Sequence, residues 1–187
     1  MRTVFQTIDW WRIRPPTTRS SPLLVYVDAS HKFDEQSAIS AIVRRHTGDY
    51  VGMRVSVVDV ECATRAEFHA VNHALSLLAR TDGVDHVVVR TDADAVVSSF
   101  RSDRYDSWMH AYGEATKGLA RAFEYCSIEA IGREQNATAD TACDVIRWAD
   151  RDFYLDLDGD YLDPTTDLDP TMLAGYPPTE TDVGADR

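Results

Sequence analysis

Positive charge is what this chain has least of. Its 187 residues carry 19 Lys and Arg against 31 Asp and Glu, a formal charge of -12, which excludes a protein that grips phosphates by basicity alone. Only two of the bases, Lys32 and Lys117, are lysines. Cysteine is scarce too. Cys62, Cys126 and Cys143 lie far apart with no Cys-x-x-Cys pair, so neither a disulfide framework nor a thiolate zinc site is expected, and buried thiols are. No run of eighteen apolar residues occurs, and Arg2, Asp9 and Trp10 interrupt the N-terminal stretch where a secretion signal needs unbroken apolar sequence. The expectation is a soluble, cytoplasmic, monomeric protein with no membrane partner.

The length suits one packed domain with tails. Charge is unevenly spread: residues 1–21 form a basic arm with Trp10 and Trp11 beside Arg12 and Arg14, whereas 151–187 are rich in Asp and hold Pro164, Pro170, Pro177 and Pro178. Such a tail is expected to be extended and poorly ordered. Its Asp156–Asp163 stretch lacks the ordered spacing of an EF-hand loop. The folded part is placed at 22–150. Acids exceed bases even there, as in salt-adapted proteins. In concentrated salt, counterion release contributes little to nucleic-acid binding, so hydrogen bonds and metal ions would have to carry it.

Leu23-Leu24-Val25-Tyr26-Val27 reads as a buried strand, and the β-prone segments 36–46 and 50–60 flank the turn Thr47-Gly48-Asp49. Val71, Ala74, Leu75 and Leu78 recur at helical spacing within 64–80, and Asp82-Gly83 ends that helix. A strand at 86–91, helices at 94–101 and 107–124, a strand at 127–131 and a helix at 137–149 complete the order βββαβααβα. This is an α/β fold: a five-stranded mixed sheet, three antiparallel strands then two parallel ones, with helices on both faces.

Four carboxylates stand out against this pattern. Asp28 directly follows an apolar strand core, Glu67 shares the apolar stripe of its helix, Asp92 ends a strand, and Asp140 opens the last helix. Each has an ordinary alternative. Thr64 and Glu67 fit a capping box, Asp92 an N-cap, and Asp140 a dipole partner. Together they are less ordinary, because the ends of parallel strands share one sheet edge where ligands bind. Crowded carboxylates repel unless divalent cations neutralise them, and an all-oxygen donor set favours two Mg²⁺ or Mn²⁺ ions over zinc.

Val25-Tyr26-Val27-Asp28-Ala29-Ser30, Ala63-Thr64-Arg65-Ala66-Glu67-Phe68, Arg90-Thr91-Asp92-Ala93-Asp94 and Asn136-Ala137-Thr138-Ala139-Asp140 occur in this order on the expected elements. Over about 22–148 the chain thereby resembles the type 1 ribonuclease H family. The resemblance implies the ribonuclease H-like fold and an endonuclease that cuts the RNA strand of an RNA/DNA hybrid, leaving 5′-phosphate and 3′-hydroxyl ends. It implies Asp28, Glu67, Asp92 and Asp140 as catalytic metal ligands, with Ser30, Arg65 and Asn136 as candidate substrate contacts. The family's glycine after the first Asp is Ala29 here. Its glycine-rich loop is replaced by His31-Lys32-Phe33-Asp34-Glu35, the loop Gly132-Arg133-Glu134-Gln135 lacks the histidine many members have, and the basic handle helix is missing.

Those departures support an alternative, a weak or inactive ribonuclease H-like module that binds nucleic acid or protein. Retention of all four acids opposes it. A proofreading exonuclease expects Asp-x-Glu on the first strand, and Asp28-Ala29-Ser30 does not fit.

Overall fold

The computed structural model describes residues 21–31, 36–101, 107–149 and 153–155. The basic arm, the loop 32–35, the Asp156–Asp163 stretch and nearly all of the acidic tail lie outside the described residues.

The strands are β1 (Leu23–Ser30), β2 (Ser37–Arg45), β3 (Tyr50–Val58), β4 (His86–Thr91) and β5 (Tyr125–Ala130); the helices are α1 (Ala63–Leu78), α2 (Asp94–Arg101), α3 (Ser107–Ala120) and α4 (Ala137–Ala149). The expected mixed sheet is present, with β1 central: antiparallel to β2, parallel to β4, while β4 pairs parallel with β5. A short sixth strand, β6 (Phe153–Leu155), was not expected. It pairs antiparallel with β3, giving the order β5-β4-β1-β2-β3-β6.

The β2–β3 hairpin closes as its turn residues require. Gly48 takes φ 93°, a region that costs glycine nothing, and Thr47 Oγ1 donates to Asp49 Oδ2 at 2.7 Å. Helix α3 stops at Ala120, short of the expected 124. From there Arg121, Ala122 and Phe123 donate to carbonyls three residues back, tightening the chain so that Phe123 turns into the core.

Alternation along β1 sorts its side chains between two layers. Val25 and Val27 join Phe68, Val71 and Leu75 of α1 in the main core, which Val87, Val89 and Ile128 extend. The opposite face packs under α4, where Cys143 meets Ala38 and Val55. Cys126 and Cys143 are buried as expected; burial pushes the Cys126 thiol up to about 12 and raises Cys143 as well. Cys62, at the N-cap of α1, is only partly covered and makes no side-chain cap bond. No described helix is long and apolar enough to cross a membrane.

Candidate active site

The site grows from the place where β1 and β4 part. Their parallel register runs from Leu23 beside Val87 to Tyr26 beside Arg90. Continued by two residues, it would set Asp28 beside Asp92. The pairing has ended there, and the side chain of Asn136 takes its place. Its Nδ2 donates to Val27 O at 2.9 Å and Asp92 Oδ1 at 2.9 Å, with Asp28 Oδ1 at 3.4 Å. Asn136 is 1% exposed.

Asn136 also starts α4. Its carbonyl accepts from the N–H groups of Ala139 and Asp140, which fixes Asp140 in the first turn, over the end of β1. The helix is tied to the sheet by Ser40 Oγ donating to Ala139 O at 2.9 Å and by Cys143 Sγ donating to Asp28 O at 3.4 Å.

Glu67 arrives from the other face. The Thr64–Glu67 capping box does not form, because the N-cap is Cys62, which puts Glu67 beyond the N3 position such a box needs. Its carboxylate instead accepts from the Ala29 N–H, and its Oε2 is buried without a hydrogen-bond partner.

Asp28 and Glu67 feel the charges gathered around them. Burial raises Asp28 to about 7, helped by the charges of Asp92 and Asp140 and by a hydrogen bond with Asp92, against the opposing Ala29 N–H. Glu67 is pushed to about 9, first by burial and then by Asp28 and Asp92, with Asp140 adding a smaller push. Asp28 is 5% exposed, a position a bare carboxylate tolerates only if protonated or neutralised.

The candidate substrate contacts divide. Ser30, at the end of β1, donates to Asp144 Oδ1 at 3.4 Å on the rim of the quartet. Arg65 points elsewhere: it is ion-paired with Glu61 and lies 5.5 Å over the Trp108 ring. Asn136 spends its amide N–H groups on the carboxylates and the β1 backbone. That holding role was missed in reading the sequence; an Asn four residues before an acid that completes a cluster was the available signal. Asp94 is exposed at the start of α2. Arg133 Nη2 lies 3.6 Å from Asp140 Oδ1.

Among the described residues no three carboxylate, imidazole or thiol groups enclose a single point tightly enough to hold an ion as they stand. The chemistry nevertheless fits a hard divalent cation. The donors are all oxygen, and the orphaned Glu67 Oε2 is a buried acceptor that a cation would satisfy.

The sequence matches the reverse transcriptase-like family over residues 26–145. No curated protein matches it. Among solved structures, it is similar to ribonuclease H1 of the halophilic archaeon Halobacterium salinarum NRC-1, at 20% identity and TM-score 0.63, covering 70% of this chain and 99% of that one. The N-terminal ribonuclease H domain of a Mycobacterium tuberculosis protein aligns at 16% identity and TM-score 0.62, covering 70% and 96%. The compost-derived LC11 ribonuclease H1, solved with an RNA/DNA hybrid, aligns at 16% and 0.59, covering 66% and 94%. At these identities the structures establish the fold, which is that of the ribonuclease H structures just named, and the family match covers most of the chain: this protein belongs to the reverse transcriptase-like family.

Proposed function

We propose that the protein is an endoribonuclease that hydrolyses the RNA strand of RNA/DNA hybrids, leaving 5′-phosphate and 3′-hydroxyl ends. One observation carries this reading: Asp28, Glu67, Asp92 and Asp140, far apart in sequence, bear on one another at a single strand edge. A binding module gains nothing from crowding like charges, whereas perturbed carboxylates in a cluster suit acid–base and metal chemistry. Family membership and the hybrid bound by LC11 ribonuclease H1 support the substrate class.

The quartet would hold two divalent ions, Mg²⁺ or Mn²⁺, which when bound supply charge neutralisation at the phosphate and a water acidic enough to attack it. The chain's own residues prepare the ground. Asn136 keeps Asp28 and Asp92 at fixed separation. Glu67, lacking a protein partner at Oε2, can accept from a 2′-hydroxyl, the group that distinguishes RNA from DNA. With so few bases, little affinity comes from counterion release, so cutting should persist in high salt.

The test is incubation of end-labelled RNA/DNA hybrid with the purified full chain, Mg²⁺ or Mn²⁺, at low and high salt, beside an Asp92→Asn control. Cutting of the RNA strand alone, abolished in the control, is the expected result. Hybrid binding without cutting under every condition would replace the nuclease by the binding module that Ala29 and the histidine-free loop favour.

A further inference from the structure

Arg133 belongs to a 3-10 turn, Arg133–Gln135, which leads into α4. The turn's backbone is closed locally: Gln135 N donates to Gly132 O at 2.9 Å, and Gly132 N donates to Gln135 Oε1 at 3.1 Å. The Arg133 side chain is 78% exposed, and its partner Asp140 is 38% exposed. Among the described residues, two other bases are committed elsewhere, Arg65 to Glu61 and Trp108, and Arg90 to Tyr26 and Glu129.

We infer that Arg133 is a resident counter-ion for Asp140 that competes with divalent cations for this carboxylate, so that filling of the site depends less on salt than the acids alone would make it. This rests on the cation-dependent reading given above. A cation can take Asp140 in full only when the guanidinium lets go. An exposed ion pair is a weak competitor, and its hold fades as the screening length falls from about 10 Å at 0.1 M salt to about 3 Å at 1 M. Salt also screens the attraction between the acidic quartet and a cation. Loss of the competitor therefore offsets part of that weakening, and the affinity changes less with salt than four carboxylates alone would dictate.

The experiment is Mn²⁺ titration by calorimetry, on the full chain without hybrid, at 0.1 M and 2 M KCl, comparing wild type, Arg133→Gln and Arg133→Lys. At 0.1 M, Arg133→Gln should bind about two- to fivefold more tightly than wild type, and at 2 M the two should coincide. Arg133→Lys keeps the charge without the planar fork and should fall between them. Equal or weaker binding by Arg133→Gln at 0.1 M overturns the inference, and so does an equal gain at both salts. If wild type binds no Mn²⁺ in either salt, the proposed cation-dependent function falls with it. Binding that is indifferent to Arg133 removes only the competitor.

Discussion

Asn136 and Asp92 are 44 residues apart, yet the amide nitrogen of one lies 2.9 Å from a carboxylate oxygen of the other. The same nitrogen reaches Asp28 and the backbone of β1. One neutral side chain thus supports two acids that would otherwise face each other where the ladder stops.

Replacing it should be costly in two ways. Asn136→Ala leaves buried acceptors unpaired and should reduce stability by about 1–3 kcal/mol. Because Asn136 positions the acids, hybrid cleavage should also fall by about 10–100-fold. Denaturant titration and single-turnover cleavage measure the two losses. A variant that unfolds like wild type and cuts at the same rate would remove Asn136 from the site.

Removing one of the crowded charges should have the opposite effect on stability. Glu67→Gln removes a carboxyl whose ionisation is opposed first by burial and then by the charges of Asp28 and Asp92. Without divalent ions it should melt about 2–8 °C higher than wild type, while its cleavage activity disappears. A lower melting temperature would mean that the carboxylate is not under the strain its surroundings imply.

Divalent ions should compete with protons here. Asp28 and Glu67 are raised to about 7 and about 9, so the metal-free fold is favoured below about pH 4, where both acids are protonated in either state. That contribution is lost as pH rises through the two folded values. Mn²⁺ should therefore raise the melting temperature more at pH 8 than at pH 5.5, and its binding should release protons. Thermal shift and calorimetry in buffers of different ionisation heat check this; an equal shift at both pH values counts against it.

The histidines of α1 act in the other direction. Burial drives His73 down to about 3 and His69 to about 4, with nearby arginine charge adding to both. Unfolded histidine binds protons near pH 6.5, so these two contribute stability fully above that pH and lose it as the pH falls toward their folded values. The loss approaches about 1.4 kcal/mol per pH unit for each. Urea unfolding of wild type and His73→Gln between pH 7 and 5 isolates the His73 part as a difference in slope. Parallel curves would show that His73 titrates normally.

Much of this was legible in the chain. Apolar runs and helical spacing carry the strands and helices because burial is what those patterns encode, and the four acids stood out because Asp28 and Glu67 fall beside or within such patterns while Asp92 and Asp140 sit at element ends expected on the same sheet edge. The direction of Arg65 was not legible: only packing decides whether an arginine near a helix start turns to Trp108 or to the acids. The failure of the Thr64–Glu67 box depended on the N-cap being Cys62 instead of Thr64, a shift of two residues that local preference cannot resolve. β6 escaped because three residues ahead of an acidic, proline-rich stretch carry no period of their own; pairing to the free edge of β3 made them a strand.

Cys62 stands five residues ahead of Glu67 on the same helix, and of the three thiols it is the one left partly uncovered. A maleimide fluorophore should therefore attach at a single position in the folded protein, without any cysteine having to be removed first. Its emission would report on the start of the helix that carries Glu67 as hybrid or cation arrives, giving an optical signal that does not require the RNA to be cut.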